Sequence, residues 1–196
     1  MTNDGQPAIV LVHGLWNTVN IFGRLYKHLE NQGWTVYAVS LIPNNGDIGI
    51  EQQAEQLCEF IERSLGSQRS FYLLGFSMGG LVSRYYLQRL GGLRRVRRFV
   101  AVAVHHYGSA LAWFRWNKGG LQMRPGSRFL TDLNRDIEKL SVCHPLSLWT
   151  PYDLLVLPAR HCCLPVGENQ RLPVRTHNGM LWDERSLAAI AQGLMG

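Results

Sequence analysis

The chain has 196 residues, of which 46% are hydrophobic and 17% are charged, and its formal net charge is +6. This size and apolar content can bury one substantial core and require no second domain, so we predict a single domain over residues 1–196. No apolar run approaches the roughly 20 residues of a membrane-spanning helix. Because residues 1–7 are polar, we expect no secretion signal.

The first predicted strand, Ala8–Val12, is a continuous apolar run, which is typical of a central parallel strand covered by helices on both faces. It ends at residues 13–15, where Gly14 permits a tight turn that aims backbone N–H groups above the sheet. His13 is expected to hold this loop by a hydrogen bond rather than to transfer protons. A helix over residues 17–32 follows and ends at Gly33.

Strand and helix patterns then alternate along the chain. The predicted elements are a strand over 34–39, a helix over 50–65, a strand that starts at residue 71 and breaks at Gly75, a helix over 78–90 and a strand over 99–104. This alternation predicts an α/β fold with a mainly parallel sheet and helices on both faces. Active sites of such sheets lie at the carboxyl ends of the strands, where His13, Ser77 and His105 fall.

The pattern Gly75-x-Ser77-x-Gly79 lies between an apolar strand and an amphipathic helix. Glycines at both positions remove the Cβ atoms that would clash where strand and helix converge, so the Ser77 hydroxyl can stand clear of the backbone. Unpaired N–H groups in the first turn of the helix would stabilise negative charge beside it. This context indicates a nucleophile elbow suited to acyl transfer rather than an ordinary turn.

The positive charge is concentrated just after the elbow helix, at Arg94, Arg95, Arg97 and Arg98. We interpret these arginines as a solvated helix end and loop, where cations also suit the helix dipole. Attraction to an anionic membrane surface is the alternative. We expect no nucleic-acid partner, since no nucleic-acid-binding motif accompanies the arginines.

Between residues 108 and 129 the regular pattern is lost, and Trp113, Phe114 and Trp116 lie beside cationic residues. This mixture suits either a contact with lipid headgroups or a wall that binds acyl chains. Aromatic residues that only cover the core beneath a loop would give the same pattern.

A serine nucleophile needs a histidine base and a carboxylate that orients the base, and in this architecture both follow the serine along the chain. His177 is the candidate base, because it lies between a strand-like segment over 172–176 and a last helix over 184–194. Asp153 is the candidate acid, because it follows an apolar strand in a turn. Asp132 and Asp136 compete on chain order alone, but their surroundings indicate solvated charges on a helix.

These segments together resemble the α/β-hydrolase superfamily, and specifically its small lipase-like esterases. The resemblance covers residues 8–194 and implies a compact fold without a cap domain. It implies that Ser77 is the nucleophile, Asp153 the acid and His177 the base, with oxyanion donors at the backbone N–H groups of Leu15 and Met78.

One segment departs from the family pattern. Many lipase-like relatives have Thr-Pro-His-x-Gly followed by Thr or Ser after the strand that follows the elbow, whereas this chain has Val104-His105-His106-Tyr107-Gly108-Ser109. His106 matches the histidine of that pattern and is expected to be structural. The shape of the pocket wall at this segment is therefore open.

We predict hydrolysis of carboxylic esters through an acyl-enzyme, with no metal or organic cofactor. Trp16, Tyr107 and Trp113 are the expected substrate-binding residues. The apolar surroundings of Ser77 favour acyl chains, so the finer prediction is a lipase acting on acyl glycerolipids. The alternatives are an acyltransferase with the same triad and a non-catalytic binding protein on the same fold.

The four cysteines, at positions 58, 143, 162 and 163, have no metal-ligand spacing, and a bridge within the adjacent pair would be strained. We therefore expect reduced thiols and a cytoplasmic protein, with peripheral membrane contact as an addition.

Overall fold

A computed structural model describes residues 7–195 of the chain. Its centre is a six-stranded sheet in which each neighbouring pair of strands runs parallel. The strands are β1 (Ala8–Val12), β2 (Thr35–Val39), β3 (Phe71–Phe76), β4 (Val96–Val102), β5 (Leu146–Trp149) and β6 (Glu168–Arg171). They are arranged in the order β2-β1-β3-β4-β5-β6, which confirms the predicted α/β architecture.

Helices cover both faces of this sheet. They are α1 (Gly23–Glu30), α2 (Ile50–Leu65), α3 (Met78–Arg89), α4 (Lys118–Gln122), α5 (Arg128–Arg135) and α6 (Glu184–Met195). Successive residues of a strand point to opposite faces, and β1 is apolar on both. Val10 and Val12 join the core beneath α2 and α3, whereas Ile9 and Leu11 join the core beneath α1 and α6.

Most predicted helices are present, with small changes at their ends. The helix predicted over 50–65 has those bounds in the structure, and the last helix begins at Glu184 as predicted. The helix predicted over 17–32 is divided into a 3₁₀ turn at Val19–Phe22 and α1. The prediction for 78–90 ends one residue later than α3 does.

Two of the strand predictions contain errors of position. β4 begins at Val96 rather than at residue 99, because Arg98 stays in the sheet and forms an ion pair with Glu168 of β6 at 2.7 Å. The segment over 172–176 is not a strand, and the last strand is Glu168–Arg171 instead. β6 is an edge strand that pairs on one side only, so its four exposed residues need no apolar pattern. The strand cannot continue through Pro173, because proline has no backbone N–H for the hydrogen bonds between strands.

The arginine cluster lies at the amino end of β4, whereas the elbow lies at the carboxyl end of β3. Because β3 and β4 are parallel, the amino end of β4 and the carboxyl end of β3 lie at opposite ends of the sheet. The seven residues of β4 span roughly 20 Å, which separates the cluster from the elbow. Arg95 is bound to Glu62 and Arg98 to Glu168, while Arg94 and Arg97 are exposed. The cluster therefore belongs to the opposite end of the sheet from the residues around Ser77.

Two further features concern the whole described range. All four cysteines, at positions 58, 143, 162 and 163, are free thiols. Between residues 7 and 195, no helix has both the length and the apolar character needed to span a bilayer.

Candidate active site

Ser77 occupies the turn between β3 and α3. Its backbone has φ 53° and ψ −126°, a left-handed conformation that costs a residue with a side chain about 1–3 kcal/mol. The turn is held by the sheet, since the Ser77 N–H donates to the Val102 carbonyl at 2.9 Å. The strand therefore ends sharply, and α3 starts at the next residue with its N-terminus beside the Ser77 hydroxyl.

The two glycines of the pattern are required by close backbone contacts. A Cβ on Gly79 would lie 2.3 Å from the Val12 carbonyl oxygen and 2.4 Å from that of His13. A Cβ on Gly75 would lie 2.5 Å from the Cα of Gly80. Atoms cannot approach this closely, so α3 can pack against the ends of β1 and β3 only when both positions lack a side chain.

Asp153 and His177 form a buried pair. Asp153 lies in the turn after β5, and His177 precedes a 3₁₀ turn at Asn178–Leu181. The Asp153 Oδ2 and the His177 Nδ1 are 2.7 Å apart, with side-chain exposures of 0% and 6%. The other carboxylate oxygen of Asp153 accepts hydrogen bonds from the N–H groups of Leu155 and Val156 at 2.8 and 3.0 Å. These bonds fix the carboxylate, which holds the proton of the ring on Nδ1 and leaves Nε2 as the basic nitrogen.

Ser77 and His177 line the same pocket, although they are far apart in sequence. Among the bonds of residues 7–195, none joins the Ser77 hydroxyl directly to the His177 ring. Such hydrogen bonds are often long without substrate and tighten when the substrate binds. The structure thus brings the three predicted residues to one site, with the Asp153–His177 bond already made.

The two predicted oxyanion donors, Leu15 and Met78, also line this pocket. Met78 is the first residue of α3, so its N–H lacks an intrahelical partner. The loop that carries Leu15 is fixed by a bond from the Trp16 N–H to the Asn44 carbonyl at 2.8 Å. Leu15 and Met78 therefore lie in the same pocket lining as Ser77.

The pocket has a volume of about 550 Å³ and a largely apolar wall. Ser77 and His177 lie in its lining together with Trp16, one of the expected substrate-binding residues. The apolar side chains that sequence reasoning did not assign to this wall are Leu111, Ala112, Met123 and Leu155, whereas Phe114 belongs to the aromatic segment for which an acyl-chain wall is one of the expected roles.

Tyr107 and Trp113, the other two expected substrate-binding residues, lie outside the pocket lining. Tyr107 lines a separate groove beside Leu130 and Asn134, and the Trp113 ring lies 4.7 Å from the Arg124 guanidinium carbon. The reason for the error at Trp113 is the 3₁₀ helix over Ala110–Phe114. Residues three apart share a face of such a helix, so Leu111 and Phe114 turn to the pocket while Trp113 turns away.

The histidines at the strand ends differ in their surroundings. His13 Nδ1 donates to the Gly14 carbonyl at 3.0 Å, and its Nε2 accepts from the Leu41 N–H at 3.1 Å, so it holds two loops together as expected. His106 is fully buried away from the pocket, and burial lowers its pKa well below the usual value. His105, in contrast, lies in the pocket lining beside Ser77 and His177.

The competing carboxylates do not reach this site. Asp132 of α5 and Asp136, directly after it, both form ion pairs with Arg89 of α3 at 2.9 Å. They join α5 to α3 and are therefore more than the solvated charges that the sequence suggests. Between residues 7 and 195, no cluster of three or more His, Cys, Asp or Glu side chains could hold a metal ion.

Solved structures with the same fold include several lipases and esterases. Aspergillus fumigatus lipase B superposes with a TM-score of 0.84 and 17% identity, over 99% of this chain and 54% of the lipase. The mature lipase BlEst2 of Bacillus licheniformis superposes with a TM-score of 0.79 and 16% identity, over 98% and 93% of the two chains. A lipase-esterase related protein from Clostridium acetobutylicum gives a TM-score of 0.73 and 16% identity, over 97% and 96%.

This chain thus spans about half of the Aspergillus lipase and nearly all of the Bacillus one. At these identities the similarity establishes the fold, while the sequence pattern establishes the family. The sequence profile of the alpha/beta hydrolase fold matches residues 7–128, which include β1, the elbow and β4. The chain belongs to the alpha/beta hydrolase fold family.

Proposed function

We propose that the chain is a serine-dependent hydrolase of carboxylic esters, with Ser77 as nucleophile, His177 as base and Asp153 as the acid that orients it. The observation that carries this proposal is the pocket lined by Ser77 and by the buried, Asp153-bound His177. The strained backbone of Ser77 supports it, because such strain is concentrated at functional sites.

In the proposed reaction His177 Nε2 removes the hydroxyl proton of Ser77 as the oxygen attacks the ester carbonyl. The N–H groups of Leu15 and Met78 stabilise the oxyanion that forms. His177 then returns the proton to the departing alcohol, which leaves an acyl-enzyme. Water enters, loses a proton to the same nitrogen and attacks the acyl carbon. The bond to the Ser77 oxygen then breaks, His177 returns the proton to that oxygen, and the carboxylic acid leaves.

For the substrate we propose acyl lipids, with the enzyme acting as a lipase on acyl glycerolipids. The support is the apolar wall formed by Leu111, Phe114, Met123 and Leu155, which suits a hydrocarbon chain. Structural neighbours that are named lipases agree with this choice. The catalytic steps above need no metal or organic cofactor.

Replacing His177 with glutamine tests the proposed role of the base. We expect turnover of p-nitrophenyl butyrate to fall by about 10³-fold or more, because glutamine cannot accept the serine proton. His28→Gln, a change on α1 outside the pocket, should leave the rate unchanged. If both variants keep the wild-type rate, His177 is not the base.

Chromatography of products formed with added glycerol separates hydrolysis from the alternative, acyl transfer, which would give a glyceride instead of free acid.

We also propose that the chain contacts anionic lipid surfaces through an aromatic rim, defined as Trp16, Trp113, Phe114 and Trp116. Their exposures are 66%, 54%, 82% and 79%. Arg124 lies 4.7 Å and 4.8 Å from the Trp113 and Trp116 rings, and Arg115 lies 4.3 Å from the Trp16 ring. Between residues 7 and 195 neither arginine forms an ion pair with a carboxylate, so the rim is positively charged as well as apolar. Tryptophan and arginine together suit lipid headgroups.

Removing two rim side chains outside the pocket tests this contact. The double variant Trp113→Ser, Trp116→Ser should bind vesicles of phosphatidylglycerol at least about tenfold more weakly in co-sedimentation, since two aromatic side chains no longer enter the interface. Its turnover of the soluble ester p-nitrophenyl butyrate should stay near the wild-type rate. The matched control, Arg94→Ser with Arg97→Ser, removes exposed charge from the opposite end of the sheet. Loss of vesicle binding in the control but not in the rim variant would assign the contact to the arginine cluster.

A further inference from the structure

His105 is a buried polar group in the wall of the pocket. It follows β4 closely, lines the pocket with Ser77 and His177, and is only 5% exposed. Its Nε2 is buried and has no hydrogen-bond partner among residues 7–195. Burial, with a smaller effect from His177, lowers the pKa of His105 to about 4. The ring is therefore neutral near pH 7 and carries one N–H donor and one acceptor nitrogen.

Two other buried polar groups of this wall, the Ser109 hydroxyl and the His177 Nδ1, are already bonded. The Ser109 hydroxyl donates to the Leu155 carbonyl at 2.8 Å and accepts from the Leu157 N–H at 3.1 Å. The Nδ1 of His177 is bound to Asp153. A buried polar atom without a partner is unfavourable, so a substrate group that bonds to His105 would recover this loss. His105 thus has hydrogen-bonding capacity to offer, as does Arg115 of the same wall, whose Nε is buried without a partner among residues 7–195.

The position of His105 indicates which part of an ester it meets. β4 lies between β3, which leads to Ser77, and β5, which leads to Asp153. A residue after β4 therefore lies between the serine and the Asp153–His177 pair. Since the base returns its proton to the departing alcohol, a side chain on this side of the pocket faces the alcohol part of the substrate.

We propose that His105 is a specificity residue that forms a hydrogen bond with a free hydroxyl group on the alcohol part of the ester. The substrate class is then esters of polyols, such as monoacylglycerols, in preference to esters of simple alcohols. This inference rests on the proposed function, because it assumes that Ser77 forms the acyl-enzyme. A free hydroxyl group on the alcohol part is a substrate feature that the apolar wall by itself does not select.

The matched substrates are 2,3-dihydroxypropyl butyrate and propyl butyrate, which share the acyl group and the carbon chain and differ by two hydroxyls. Titration of released acid gives kcat/KM for each. The wild-type enzyme should favour the dihydroxy ester by about tenfold, the value of one hydrogen bond. His105→Phe, which keeps a planar ring but cannot bond, should bring the ratio near one. His105→Gln, which keeps a donor and an acceptor, should retain part of the preference.

A wild-type ratio near one overturns the proposal without any variant, and so does a ratio that is unchanged in a folded, active His105→Phe enzyme. Turnover of p-nitrophenyl butyrate by the variants shows that the catalytic residues still work. Failure of the proposed function is distinct, because it would appear as hydrolysis of both esters by a Ser77→Ala variant.

Discussion

Replacing Ser77 with alanine is expected to reduce p-nitrophenyl butyrate turnover by about 10⁴-fold or more. The variant keeps the pocket, the Asp153–His177 bond and the backbone donors, but it has no oxygen that can form the acyl-enzyme. Its melting temperature should stay close to that of the wild type, because the Ser77 hydroxyl makes no hydrogen bond to another residue between 7 and 195. The paired measurement is initial rate and thermal unfolding on the same preparations.

Ser147→Ala is the matched control. Ser147 is a fully buried serine of β5 whose hydroxyl also lacks a partner among the described residues, and it lies outside the pocket. The control should keep the wild-type rate. Equal loss of activity in both variants, or retained activity in Ser77→Ala, would contradict the role given to Ser77.

Replacing Gly79 with alanine should have the largest effect on stability. The new Cβ would lie 2.3 Å and 2.4 Å from the carbonyl oxygens of Val12 and His13, which belong to the backbone at the end of β1 and cannot rotate away. The clash is relieved only if α3 moves away from the sheet. We therefore expect the free energy of unfolding to fall by about 3 kcal/mol or more and the melting temperature to fall by about 6–12 °C. Ester turnover should fall as well, because Met78 and Ser77 move with the helix.

Gly23→Ala provides the comparison for this change. A Cβ at Gly23 meets no atom within 4 Å, and its φ of −50° is compatible with α1. Alanine there should be neutral or should stabilise the protein by about 0.5–1 kcal/mol. Denaturant unfolding of both variants would show the difference. If Gly79→Ala unfolds at the same denaturant concentration as Gly23→Ala, the close packing of α3 on β1 is not present in solution.

The central part of the fold follows from sequence because its signals are local. The continuous apolar run of β1 and the Gly75-x-Ser77-x-Gly79 pattern each carry their own structural reason, namely burial on both faces and the absence of Cβ atoms at a crowded turn. Asp153 could be chosen by chain order and by its position after an apolar strand, and His177 by chain order and by its position before the last helix. The two residues are 24 positions apart in sequence, and the approach of their side chains to 2.7 Å can be seen only in three dimensions.

The pocket wall was less predictable because the direction of a side chain depends on backbone detail. Trp113 and Phe114 are adjacent in sequence, and only the 3₁₀ geometry of Ala110–Phe114 decides that Phe114 faces the pocket. β6 was misplaced for a related reason, since an exposed edge strand carries no apolar pattern. His105 lies at a strand end in the sequence, but its unbonded ring nitrogen could be recognised only with its neighbours in position.

The most direct test of the account is covalent labelling of the native protein with a fluorophosphonate, followed by intact mass measurement and peptide mapping. Such a reagent reacts with a serine that a base has activated and remains attached to it. The role proposed for Ser77 predicts one label per chain, located on Ser77, with ester turnover lost in proportion to labelling. A label on another residue, or full ester turnover by a protein that takes up no label, would contradict it.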